Sequence, residues 1–141
     1  MLTDRLGHAL ELTDLLAAGI DEESLGLHNG AAPSNTIALQ FWCIVGARES
    51  YGRAIERGEW AGFACSLNEP GSARAVRDAL SSSGARVREL CGALEQPLDA
   101  ARESLIFDLL EHEVQHHGQL VRYFYANGLQ FPDRFAARYA L

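Results

Sequence analysis

No lysine occurs in this chain of 141 residues: its 12 basic residues are all arginines, set against 19 acidic ones for a net charge of −7. An acidic surface without a basic stripe cannot neutralise a phosphate backbone, which argues against a nucleic-acid partner. Cysteine is scarce too. Cys43, Cys65 and Cys91 form an odd, widely spaced set with no CxxC pair, so there is no disulfide framework. No uninterrupted apolar run approaches the roughly 18 residues of a membrane span, and the stretch Met1-Leu2-Thr3-Asp4-Arg5-Leu6-Gly7-His8 lacks the charged-then-apolar order of a signal peptide. The expected setting is cytoplasmic and reducing, with no membrane partner. Strand-like alternation, internal repeats and low-complexity tracts are missing as well.

What remains is ordinary globular composition, with 48% hydrophobic and 22% charged residues. The expected organisation is one domain over residues 1–141, long enough to bury roughly 68–70% of its unfolded surface. Apolar residues recur at helical spacing in four stretches. Thr3 is placed to cap a first helix carrying Leu6, Leu10, Thr13 and Leu16 on one side and ending near Gly19. After a loop from Ile20 to Pro33, a second helix is expected to start at Pro33-Ser34-Asn35, carry Ile37, Phe41, Ile44 and Val45, and end near Gly58. Ser72 opens a third, in which Ser81-Ser82-Ser83-Gly84 are poor interior residues and mark a candidate break. Asp99 caps a fourth, which runs to Asn127-Gly128; beyond it, Phe131 and Phe135 imply a tail that packs back. The pattern is that of an all-α four-helix bundle, an architecture that builds metal sites from side chains on facing helices.

Chemistry concentrates in His112-Glu113-Val114-Gln115-His116-His117-Gly118-Gln119. On a helix, His112 and His116 lie about 40° apart in projection and one turn apart along the axis, a spacing that closes on one divalent ion. The letters also spell HExxH, in which the glutamate of a zinc peptidase is the general base. A peptidase needs a third ligand downstream and a strand edge to hold its substrate; no histidine follows His117, and Asp133 is the sole later acid. That reading is rejected, and Glu113, which turns toward the apolar side, instead requires a partner such as Arg48 or Arg53.

The stretch Leu110-Glu111-His112-Glu113-Val114-Gln115-His116-His117-Gly118-Gln119-Leu120 resembles the last-helix signature of the DinB/YfiT-like family: a histidine, three residues, a second histidine, any residue, then Gly-Gln. The continuation Tyr123-Phe124-Tyr125-Ala126-Asn127-Gly128-Leu129, then Pro132, resembles the family's aromatic run, helix-ending glycine and proline. On the second helix, Trp42-Cys43-Ile44-Val45-Gly46-Ala47-Arg48-Glu49-Ser50-Tyr51 resembles the segment that holds the family's remaining ligand, where members usually have a histidine in place of Cys43. The resemblance implies an up-down-down-up bundle with a long connection. It also implies a divalent metal, zinc or nickel being expected, held by His112, His116 and Cys43. A thiolate is an acceptable zinc ligand, and three protein ligands leave a position open. Two readings of Cys43 stay open, since a cysteine beside Trp42 and Ile44 also serves as a small buried hydrophobe.

The activity implied is that of a metal-dependent transferase, or a related isomerase, in which a low-molecular-weight thiol such as bacillithiol or mycothiol attacks a small electrophile. The alternative is a non-enzymatic, stress-associated bundle with a structural or vestigial site. A homodimer is a further expectation. Among the remaining residues, Glu49 and Gln119 are candidates to orient ligands, His8 is the fallback third ligand, and His117 packs or faces solvent. His28 reads as a surface loop residue, Trp42, Trp60 and Phe63 as pocket lining or core anchors, and Cys65 and Cys91 as unreactive.

Overall fold

The computed structural model describes all 141 residues, Met1–Leu141. The chain is entirely helical: α1 (Leu2–Ala18), α2 (Glu22–Leu25), α3 (Ile37–Arg57), α4 (Ala73–Ala93), α5 (Ala100–Asn127) and α6 (Asp133–Tyr139), packed together as a bundle. The four long helices form its body, with α1 and α3 each packed against both α4 and α5. No helix is long and apolar enough to cross a membrane.

Local chemistry sets the ends. Asp99 accepts the backbone N–H of Arg102 to open α5, and Gly128 closes it in the left-handed conformation that an L side chain resists. Ser72 caps α4 by accepting from Ala75 N–H. Two expected starts shift. α1 begins at Leu2, so Thr3 lies inside the first turn; the Asp4 carboxylate reaches back 3.1 Å to the Met1 ammonium and fills the capping role. α3 begins at Ile37 with Thr36 as cap, because the Asn35 side chain is already engaged by Gln40 and Tyr123. The expected break at Ser81–Gly84 does not occur, and α4 is continuous through it.

Two apolar clusters fill the bundle. One gathers Leu6 and Leu10 with Ile55, Val87, Ile106 and Leu109; the other gathers Leu16 with Ile37, Phe41, Val76, Leu80, Leu120 and Phe124. Residue numbers rise between the two clusters on α1 and α5 and fall on α3 and α4, so α1 and α5 run one way and α3 and α4 the other. Where the clusters meet, each long helix carries polar or small residues: Thr13 and Asp14 on α1, Arg48 on α3, Ser83 and Gly84 on α4, and Glu113, His116 and His117 on α5, a polar belt across the bundle. The tail does pack back. Phe135 of α6 is fully buried, stacked with Phe131, and Arg134 grips Glu11 of α1 through two hydrogen bonds.

Candidate metal centre

Cys43 projects from α3, and His112 and His116 from successive turns of α5. Their ligand atoms all lie within 4.8 Å of one another. Donors around a tetrahedral zinc stand about 3.3–3.8 Å apart, so the group is within about 1 Å of ligand spacing. Cys43 Sγ is 3.6 Å from His112 Nε2, and the two imidazole rings are tilted 54° with centroids 4.6 Å apart.

The surroundings disfavour charge on these groups. Burial, reinforced by the neighbouring His112, lowers the His116 pKa to about 4; burial also lowers that of His112 and raises that of the Cys43 thiol. Both imidazoles are thus neutral near pH 7, the form that binds a metal. His112 is also under-satisfied, since its Nδ1 is buried without any hydrogen-bond partner and its Nε2 has only the long thiol contact. Leaving such a group unpaired costs about 1–3 kcal/mol. One sulfur and two nitrogen donors with an unsatisfied imidazole among them fit a divalent cation of the zinc type, and the group could hold one.

No protein-family model matches the chain, and no curated protein matches it in sequence. The functional assignment therefore stands on the residues and their geometry.

The other candidates separate cleanly. Glu113 is fully buried and tied to Arg48 through Oε1 and Oε2. Burial alone would raise its pKa, but the guanidinium more than offsets this and holds the carboxyl below its usual range. It is a structural anion, not a base aimed at a metal. Arg48 also donates to Asp14 (2.9 Å) and to the backbone carbonyls of Leu80 (2.9 Å) and Leu10 (3.0 Å), joining α1, α3, α4 and α5. His117 packs inside: Tyr139 O–H donates to its Nδ1 (2.6 Å), its Nε2–H donates to Thr13 Oγ1 (2.7 Å), and Thr13 donates to Glu113.

Glu49 serves the loop after α3, accepting from Ser66 N–H and Oγ–H; Gln119 is exposed; His8 and His28 lie on the surface, away from the cluster. The Trp42 and Phe63 rings pack at a tilt with centroids 5.4 Å apart, and Trp60 and Tyr51 likewise at 5.0 Å, so these aromatics strap the loop to α3. Phe63 sits over Gly46, where a Cβ would come within 2.7 Å of its ring.

Sequence reasoning missed Gln40. It is buried, and its Oε1 stands 2.6 Å from His116 Nδ1. A signal was present: Gln40 falls among Ile37, Phe41 and Ile44 at core-facing spacing, where a polar residue requires a partner.

Proposed function

We propose that the chain is a DinB/YfiT-like bundle of up-down-down-up course that binds one divalent metal ion through Cys43, His112 and His116. Its activity is that of a low-molecular-weight-thiol S-transferase, with bacillithiol and mycothiol as the model thiols. The observation that carries the metal assignment is the convergence of one thiol and two neutral imidazoles from facing helices. The opposed directions of the helix pairs and the position of Cys43 opposite the α5 histidines support the family reading.

When bound, a cation there supplies Lewis acidity, which lowers the pKa of a thiol placed beside it. The chain's own residues contribute the rest. Cys43 gives up its proton as it takes the ligand role, while His112 and His116 offer lone pairs without proton loss. The half-buried setting of Cys43 and His112 limits access of bulk water to that face. Overall, a thiol RSH and an electrophile R′X give the thioether RSR′ and HX, the proton leaving with X.

Elemental analysis of the purified protein and of His116→Ala tests the first half. We expect about one equivalent of zinc or nickel in the native protein and loss of it in the variant; a native protein free of metal would sink the enzyme reading. Conjugation of bacillithiol or mycothiol to 1-chloro-2,4-dinitrobenzene tests the second. Equal rates in native and variant would remove the metal from the reaction. A metal-replete protein without conjugation would leave a structural site, the non-enzymatic alternative.

A further inference from the structure

Behind His116 runs a line of polar groups, two of them buried and ending on the exposed Asn35, that the ligand geometry alone does not require. Gln40 on α3 is 5% exposed and Tyr123 on α5 is 4% exposed. The Tyr123 hydroxyl lies 2.6 Å from Asn35 Oδ1 and 2.9 Å from the Asn35 carbonyl oxygen. Gln40 Nε2 donates to the same Asn35 Oδ1 at 2.8 Å, which turns Gln40 Oε1 toward His116 Nδ1 at 2.6 Å. The line has a direction. Asn35 Oδ1 accepts from both Tyr123 and Gln40, so the carboxamide nitrogen of Gln40 faces Asn35 and its oxygen is left to accept from the ring. An acceptor at Nδ1 holds the proton there and leaves Nε2 as the bare lone pair. Gln40, the group that touches the imidazole, comes from α3; it is held by Asn35 of the loop between α2 and α3, which also bonds Tyr123 of His116's own helix, α5.

We infer that Gln40, held by Asn35 and Tyr123, is a positioning residue for His116: it selects the Nδ1–H tautomer and so presents Nε2 as a metal ligand. The inference rests on the metal reading above. A neutral amide does this without adding charge. A carboxylate in its place would accept the same hydrogen bond and make the imidazole a stronger donor, as outer partners of metal-bound histidines do.

The decisive measurement needs no metal. Long-range ¹H–¹⁵N NMR on the metal-free protein reports which imidazole nitrogen of His116 carries the proton. We expect Nδ1–H in the native protein and in Gln40→Glu, and a shift toward Nε2–H in Gln40→Leu. A native His116 already protonated on Nε2, or one unchanged in Gln40→Leu, would overturn the inference. Should Gln40→Leu fail to fold, Tyr123→Phe removes the hydroxyl that fixes Asn35, and the same mixing of tautomers is expected.

Cobalt(II) titration, read by its d–d absorption, supplies the second arm. Gln40→Leu is expected to bind about 10–100-fold more weakly than the native chain, with Gln40→Glu restoring or exceeding native affinity. Equal cobalt affinity in the native chain and Gln40→Leu would overturn the positioning role while leaving the metal centre intact. Failure of the native chain to bind cobalt would remove the metal centre, whereas the tautomer spectrum decides the relay by itself.

Discussion

Arg48 is the residue on which the interior turns. It is fully buried, and every nitrogen of its guanidinium is engaged: Nε and Nη2 by Glu113, Nη2 also by the Leu10 carbonyl, Nη1 by Asp14 and the Leu80 carbonyl. Such a pair adds little relative to an apolar core, yet breaking it strands a charge, at a cost of about 3–5 kcal/mol. Arg48→Met is therefore expected to lower the unfolding free energy by that amount, read as a lower urea midpoint at unchanged slope. The double variant Arg48→Met/Glu113→Gln should lose clearly less than the sum of the two singles. Strictly additive losses would show that the two side chains do not act as a unit. Glu113 illustrates what a sequence can and cannot reveal at this scale. Its position on the apolar side of α5 and its need for an arginine were legible, and Arg48 was one of two candidates. The choice of Arg48 was not, because the partners stand 65 residues apart and only packing brings them together.

Among the elements, α4 shows why local propensity misleads. Ser81-Ser82-Ser83-Gly84 weaken a helix on intrinsic grounds, yet α4 passes through them unbroken. The small side chains let the Arg48 guanidinium approach: a Cβ at Gly84 would stand 3.1 Å from its Nη1. Replacing an interior helix glycine by alanine ordinarily stabilises by up to about 1 kcal/mol. Gly7→Ala, with open space at its Cβ in α1, should show that gain as a raised Tm. Gly84→Ala should lower Tm, since Arg48 is pinned on all sides; a rise equal to that of Gly7→Ala would show that Arg48 yields freely. The α6 helix carries a pH prediction. The hydrogen bonds from Arg134, and then its charge, hold the Glu11 carboxyl below its usual range. The folded chain thus binds fewer protons there than the unfolded one, so the pair's contribution is complete above the ordinary carboxylate pKa of about 4.3 and fades as pH falls through the lowered value. Hydrogen-exchange protection in α6, taken relative to the intrinsic rate at each pH, should fall in that acidic window and do so less in Glu11→Gln, where the pair is already gone. Identical acid profiles in both would disconnect α6 docking from Glu11.

On the scale of the whole molecule, the bundle is two apolar clusters divided by one polar belt, and the candidate metal centre sits at the edge of that belt. His116 is bonded on its Nδ1 side to Gln40, and its chain neighbour His117 belongs to the Thr13–Glu113–Arg48 line, so the site's orientation is coupled to that of all four long helices. A cation that binds only the folded chain adds RT ln(1 + [M]/Kd), about 2.7 kcal/mol at a hundredfold excess over Kd, equivalent to a rise in Tm of about 10 °C for a domain of this size. Zinc is expected to produce that shift in the native protein, EDTA to reverse it, and His112→Ala to abolish it. A shift of the same size in His112→Ala would place the metal elsewhere.

The helical class, the two caps Ser72 and Asp99, the stop at Gly128 and the pairing of His112 with His116 are all set by residues within a few positions of one another, and the sequence by itself determined them. Local hydrogen bonds and a 3.6-residue period carry that information wherever the helix ends up. The meeting of Cys43 with those histidines, the choice of Arg48 for Glu113, the service of Gln40 to His116 and the burial of His117 span tens of residues of chain. They arise only when facing helices are brought side by side in one register, because no local period records which side chain will lie opposite which. Tertiary structure alone decided them.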